Sequence, residues 1–349
     1  MPSVLECVPN FSEGRDLKLI NKIADRIQSV EGVSLLDVDP GASANRTVIT
    51  FVGDPKAVIE AAFLGIKEAS RLIDMRQHHG AHPRMGATDV CPLIPISGIT
   101  LEEAVALAHQ LAKRVGEELQ IPVYLYERAA TQPRRQNLAT IRSGEYEGFE
   151  SKILSPDWKP DYGPQQFNAQ SGQTVIGARD FLIAYNVNLN SRSVSNAKAV
   201  AADVRESGRA KIVDGKKVRD EKGGIVRAAG KCKAVKAIGW YMEQYGVAQV
   251  STNLTDINQT PLHIAFEAVR RSARERGMRV TGSELVGLIP KRCLLEAGQY
   301  YLDLQGIGGE FPEEELIYIA IKSLGLDELG PFDPQRKIIE YRMAQAVAV

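Results

Sequence analysis

The sequence predicts an α+β fold made of two related halves, each carrying helices on one face of its sheet. Length is the first observation behind this: 349 residues exceed one ordinary core and suffice for two domains of about 150 residues. The second is the order of hydrophobic periods, which opens as β-α-β-β-α. Internal similarity is the third. The helix predicted over residues 59–75 lies on residues 262–278 at one constant offset, setting Ala62, Phe63, Arg71 and Met75 over Ala265, Phe266, Arg274 and Met278. A one-residue adjustment sets Val48, Thr50 and Asp54 over Val250, Thr252 and Asp256, and Leu93-Ile94-Pro95 resembles Leu288-Ile289-Pro290. A diverged duplication of one β-α-β-β-α unit accounts for these matches.

Taken in order, residues 4–8 alternate as a short strand and enter the turn-rich Asn10-Phe11-Ser12-Glu13-Gly14. Asp16 is positioned to cap a helix whose Leu17, Ile20, Ile23, Ala24 and Ile27 recur at helical spacing. Residues 33–38 form the next strand, expected to close at Asp39-Pro40-Gly41, and 46–52 are β-rich before Gly53-Asp54-Pro55. Helical periodicity returns over 57–75 and 101–119, with apolar strands at 90–96 and 122–126. Residues 155–174, rich in Pro, Gly, Gln and Asn, read as a loop. The second half opens with an alternating strand at 181–189. After it, residues 205–236 hold eleven basic and four acidic side chains. A helix at 313–324, followed by Pro331 and Pro334, reads as an appendage to the second half. The expected division is 1–179, 180–300 and 301–349.

Composition removes several function classes. Forty-three Lys and Arg balance forty-three Asp and Glu, so the chain lacks the overall charge of a nucleic-acid or anionic-membrane binder. Neither partner is expected. Cys7, Cys91, Cys232 and Cys293 stand far apart and read as reduced thiols rather than zinc ligands or a disulfide framework. Residues 1–7 lack the basic and apolar regions of a signal peptide, and no run of about 18 apolar residues occurs. The expected location is the cytoplasm.

Three of the five histidines fall in His78-His79-Gly80-Ala81-His82-Pro83-Arg84-Met85-Gly86-Ala87-Thr88-Asp89. His78 and His82 are four apart, which suits a metal on a helix, but Gly80 and Pro83 disfavour that helix. A solvated polar loop is one alternative; a rigidly held histidine for acid–base work is the other. Asp37 and Asp39, ahead of Asn45-Arg46, read equally as turn-formers or as carboxylates that orient a histidine or stabilise a cation. Asn10, Ser12 and Glu13 allow the same two readings. No Gly-x-x-x-x-Gly-Lys-[Ser/Thr] cradle or Gly-x-Ser-x-Gly elbow occurs, and Gly306-Ile307-Gly308-Gly309 does not complete a dinucleotide fingerprint. The basic run is either a site for an acidic ligand or a solvated face.

Together with Glu6-Cys7-Val8-Pro9-Asn10-Phe11-Ser12-Glu13-Gly14-Arg15, residues 78–96 resemble the glutamate formiminotransferase family of folate-dependent enzymes of histidine degradation. The match continues through Asp37-Val38-Asp39-Pro40, the helix up to Met75, residues 163–172 and residues 181–190. The resemblance implies two related subdomains of ferredoxin-like α/β-sandwich topology with a ligand crevice between their sheets. It implies transfer of a formimino group from N-formimino-L-glutamate to N5 of tetrahydrofolate, with no metal or nucleotide. His82 matches the family's catalytic acid–base, and Asp39 is the expected electrostatic partner. Gly163, Pro164, Gln165, Gln166, Phe167, Asn168, Ala169, Gln170, Ser171 and Gly172 match its folate segment, and Asn10, Arg46, His79, Asn188 and Lys198 are the expected substrate contacts. A stand-alone transferase is implied, as a homodimer with small-molecule substrates and a separate cyclodeaminase. A formyl-group relative and a non-catalytic folate binder are the alternatives.

Overall fold

The computed structural model describes residues 3–221 and 223–347; Met1 and Pro2 of the leader reading, Lys222 of the basic run and the last two residues of the appendage lie outside them. The chain forms two compact units, Met1–Asp180 with Met343–Val349, and Phe181–Arg342.

The first unit runs β1 (Val4–Cys7), β2 (Asn10–Phe11), α1 (Leu17–Gln28), β3 (Val33–Gly41), β4 (Arg46–Gly53), α2 (Pro55–Leu72) and β5 (Thr88–Ser97). It continues through α3 (Leu101–Glu118), β6 (Val123–Glu127), α4 (Leu138–Arg142), α5 (Phe149–Ile153) and β7 (Thr174–Ala178). β1 and β2 act as one interrupted strand, because both lie between β4 and β5 and run antiparallel to each. β3 adds antiparallel to β4, while β7 pairs parallel with β5 and β6 parallel with β7. The helices start where the sequence can satisfy their first N–H groups. Asp16 accepts from the amides of Lys18 and Leu19, Asp54 from that of Lys56 with Pro55 next to it, and Thr100 and Glu103 cap α3 reciprocally. Each such cap stabilises its helix by about 1 kcal/mol.

Strand alternation then divides the side chains. Leu5, Cys7, Phe11, Ile49, Phe51, Cys91 and Leu93 face the helices and join Ile27, Phe63, Ile66 and Leu111 in one core. The other face is polar along β2 to β4. Val48 is registered opposite both Asp39 on β3 and Asn10 on β2, so these two, and Arg46 two residues along β4, project from that face. At its β5–β7–β6 side the same face is covered by Ile141 of α4 and Phe149 and Ile153 of α5, packed with Val90, Tyr124, Tyr126 and Val175.

Three details depart from expectation. β3 does not close at Asp39-Pro40-Gly41, since Pro40 pairs with Thr47 and Gly41 with Arg46. Proline is tolerated there because β3 is an edge strand and needs no N–H on its outer side. The Asn10 turn is partly strand, because Asn10 and Phe11 pair on both sides. The second helix spans Pro55–Leu72 rather than 57–75, its start set by the Asp54 cap.

In the second unit β8 (Ile183–Leu189) and α6 (Val194–Val204) precede four two-residue strands, β9 (Arg209–Ala210), β10 (Ile212–Val213), β11 (Lys216–Lys217) and β12 (Arg227–Ala228). These pair as β10–β11 and β9–β12, and make the basic run a set of small, largely exposed ribbons. Then come β13 (Val235–Met242), β14 (Val247–Leu254), α7 (Leu262–Arg274), β15 (Val280–Val286), α8 (Lys291–Leu304), α9 (Glu313–Leu324), α10 (Pro334–Lys337) and α11 (Ile339–Val347). The main sheet is antiparallel in the order β13-β14-β8-β15. Setting β8 over β1/β2, α6 over α1, β13 over β3, β14 over β4, α7 over α2 and β15 over β5 gives the same element order and the same strand neighbours in both units. Thus α7 stands where α2 does and β14 where β4 does, in agreement with the internal alignment. The third match fails: Leu93-Ile94-Pro95 lies inside β5, whereas Leu288-Ile289-Pro290 follows β15. The boundary expected at 300/301 also fails, because α8 runs across it and Tyr301 shares a core with Leu294, Ala297 and Ile317.

Candidate active site

The histidine segment joins α2 to β5 and is held by its neighbours' backbones rather than by regular structure of its own. Asn45, at the entry to β4 with φ of 48°, ties three segments together. Its Oδ1 accepts from the Gly14 amide at 3.0 Å, its Nδ2 donates to the His79 carbonyl at 2.9 Å, and its carbonyl meets His78 Nε2 at 2.8 Å. Arg84 Nε donates to His78 Nδ1 at 3.2 Å, so Nε2 of His78 carries the proton it gives to Asn45. His78 is therefore neutral and committed to holding the loop; burial, which lowers its pKa, acts the same way. Gly80 has to be glycine, since a Cβ would lie 2.2 Å from the Ala44 carbonyl oxygen.

Two further loops close on the same segment. Ser12 donates through Oγ to the Gly86 carbonyl at 2.7 Å and through its amide to that of Ala87 at 2.9 Å. From the other side, the Ala87 amide donates to Ser171 at 2.8 Å and the Gln173 amide to Met85 at 3.2 Å, and Gly86 and Gly172 form an antiparallel bridge. The glycine-bounded loop of residues 163–172 thereby adjoins the histidine segment. Within it the Asn168 side chain accepts from the Ser171 amide at 3.0 Å, Gln165 donates to the Ile153 carbonyl at 2.9 Å, and Phe167 lies 5.4 Å from the Tyr146 ring. Ser171 Oγ and Gln173 Oε1 are buried with no hydrogen-bond partner among the described residues.

His82 is half-buried in this frame. Its Nδ1 lies 2.7 Å from the Pro83 carbonyl oxygen, which can only accept, so Nδ1 holds the proton and Nε2 is the basic nitrogen. Burial lowers the pKa of His82 well below 6.5, and the charges of Arg46 and Arg142 lower it further; Asp89 opposes them. Asp89 is fully buried. It is paired with Arg46 and Arg142 and accepts from the Met85 amide at 3.0 Å. Burial raises its pKa, but the two guanidiniums outweigh that and hold it far below the usual carboxylate range. Arg46 also donates from Nε to Asn10 Oδ1 at 3.1 Å, and Asn10 in turn donates to the Val8 carbonyl at 2.8 Å.

Of the residues expected from sequence, Asn10 and Arg46 join the Asp89 cluster whose charges act on His82, and Asp39 projects from the same sheet face, half-buried. His79 is exposed and lines an open pocket of about 400 Å³ with Gly80, Arg84, Gly144, Glu145 and Glu147. Asn188 is fully buried in β8, where its Oδ1 accepts from Gln249 at 2.8 Å, and Lys198 is an exposed residue of α6. No three His, Cys, Asp or Glu side chains are grouped to hold a metal among the described residues. Sequence reasoning missed Asp89 and Arg142. Asp89 closes the very run that the histidines open, a signal that was present; Arg142 lies 53 residues away with no motif around it. It also missed Glu6, buried on the polar face, whose pKa burial pushes up to about 7 against the pull of Arg179.

Comparison with known proteins follows the same division. Residues 4–179 match the family model for the N-terminal subdomain of the formiminotransferase domain, and residues 184–344 match that for the formiminotransferase domain. Glutamate formimidoyltransferase of Streptococcus pyogenes serotype M1 is 43% identical over 305 residues, covering 87% of this chain and 95% of its own. The protein of the same name from Thermoplasma acidophilum is 44% identical over 306 residues, with 87% and 94% covered. Formimidoyltransferase-cyclodeaminase of Rattus norvegicus is 47% identical over 341 residues, 98% of this chain; the chain spans 60% of the length of that relative.

Proposed function

Because the chain belongs to the formiminotransferase family, we propose that it transfers the formimino group of N-formimino-L-glutamate to N5 of tetrahydrofolate, giving L-glutamate and 5-formiminotetrahydrofolate. N5 attacks the amidine carbon and its proton passes to His82 Nε2. The tetrahedral intermediate collapses as the C–N bond to glutamate breaks, and the same proton moves from His82 to the departing nitrogen. One residue serves both transfers. The Nδ1 contact to Pro83 is the observation that carries this reading, because it fixes the tautomer with Nε2 as the base. The lowered pKa supports it in both directions, keeping His82 neutral before attack and making its conjugate acid a ready proton donor afterwards. Asp39 is the carboxylate that offsets positive charge on the intermediate, a role supported by its position on the same sheet face as Arg46 and Asn10.

Residues 163–172 contribute to the tetrahydrofolate site, a role supported by their backbone links to the histidine segment and by the buried, unpartnered oxygens of Ser171 and neighbouring Gln173. The donor reaches Asn10, Arg46 and His79, all in the first unit. Each unit reads as a ferredoxin-like sandwich, supported by the shared βαββαβ order with the first strand, interrupted only in the first unit, between the third and fourth. The reading keeps the division of the chain after residue 179. Four buried cysteines, present as free thiols, support a reducing, cytoplasmic setting. The reading also carries a homodimer and a cyclodeaminase as the consumer of the product, the latter supported by the double name of the rat relative.

The test is turnover of formiminoglutamate with tetrahydrofolate, followed by acid conversion of the product to the methenyl form. His82→Ala is expected to lower kcat by about 10²- to 10⁴-fold with tetrahydrofolate binding retained. Undiminished turnover in that variant overturns the role of His82; absence of turnover in the unaltered protein overturns the reaction.

A further inference from the structure

Charge does not balance in the cluster beside His82. Arg46 and Arg142 converge on one carboxylate, Asp89, and no other carboxylate among the described residues pairs with either guanidinium. Their side chains are only 10% and 16% exposed and that of Asp89 is 0% exposed, so one positive charge stands largely removed from water. Such an arrangement is unfavourable unless a second anion joins it. The hydrogen bonds show where that anion fits. Arg46 uses Nε for Asn10 and Nη1 for Asp89, and Arg142 uses Nε and Nη2 for Asp89. Nη2 of Arg46 and Nη1 of Arg142 meet no acceptor among the described residues. Asp89 is itself held by the Met85 amide, so the two guanidiniums are fixed in advance of any ligand.

We propose that Arg46 and Arg142, braced side by side on Asp89, seat the α-carboxylate of the formimino donor. This rests on the formimino-transfer reading above and names the substrate group that the site selects. Chemistry favours this carboxylate over the others present. In the donor, the α-carboxylate is attached to the carbon that bears the departing nitrogen, so a seat next to the proton-transferring histidine lies within its reach. The carboxylates of tetrahydrofolate are separated from N5 by the whole aminobenzoyl linker. Guanidiniums suit the task because their fork matches a carboxylate and keeps its charge at any working pH. Arg142 is then a specificity residue and Asp89 a positioning residue that acts through both arginines.

The experiment is a binding measurement on the full chain, by calorimetry, with N-formyl-L-glutamate and with its decarboxylated counterpart N-formyl-4-aminobutyrate. The unaltered protein is expected to prefer the first by about ten- to hundredfold, and Arg142→Gln to lose that preference while tetrahydrofolate affinity stays unchanged. Arg142→Lys, which keeps the charge but not the fork, is expected to fall between the two. Equal affinity of the unaltered protein for the two ligands, or an undiminished preference in Arg142→Gln, overturns the proposal. Loss of tetrahydrofolate affinity in both variants, in parallel with the donor, overturns it as well, since it marks a general disturbance of the site. Binding with the expected preference but no turnover of formiminoglutamate leaves this seat standing and overturns the reaction instead.

Discussion

His82 is governed by neighbours that sequence spacing did not reveal. Burial and two arginines lower its pKa, so its neutral form persists to lower pH than in an ordinary histidine. Activity takes the same sign: kcat/KM falls on the acid side through a limb well below that of an ordinary histidine. Arg142→Gln removes one repelling charge and is expected to move that limb upward in a pH–rate profile. A separate limb near pH 7 that disappears in Glu6→Gln identifies Glu6 and leaves the His82 limb in place. Stability carries the same sign for His82. Its charged form is disfavoured in the folded state, so its contribution is present above the unfolded pKa and is lost as pH falls below it. The histidine segment stood out because three such residues in five positions, stiffened by Gly80 and Pro83, are unusual, while the choice of His82 among them came from the family resemblance. Arg142 was not, since its role depends on α4 covering one end of the sheet, a tertiary event without local trace.

Among the elements, helix starts and strand periods were readable because caps and alternation are local. Asp16 and Asp54 do what their positions suggest, and α1 buries the Ile20, Ile23, Ala24 and Ile27 stripe. The end of β3 was misjudged because Asp-Pro-Gly signals a turn, while an edge strand accepts the same residues. The 163–172 loop shows composition and geometry agreeing. Gly172 has φ of +66°, and a Cβ there would stand 2.3 Å from the Met85 carbonyl oxygen. Gly172→Ala is expected to destabilise the protein by about 1–3 kcal/mol in chemical denaturation. It is also expected to lower kcat, because the loop can no longer bridge to Gly86 beside the histidine. Full activity in a folded Gly172→Ala protein removes the coupling between the two loops.

For the molecule as a whole, duplication was visible in α2 and α7 because the apolar pattern of a helix under a sheet survives divergence, and the shared strand order extends the match to six elements per unit. The two units have not kept the same chemistry: the histidine segment, Asp89 and Arg142 belong to the first alone. Turnover is expected to persist after exhaustive treatment with EDTA, since the proton relay assigned to His82 uses no Lewis acid. Loss of activity on chelation, restored by a divalent cation, counts against the mechanism. Every strand of the first sheet, together with the histidine segment, the glycine-bounded loop and Arg142, precedes Asp180. A ribosome therefore delivers all the residues proposed here for proton transfer before β8 is made, and that region can take shape on the nascent chain ahead of the second unit.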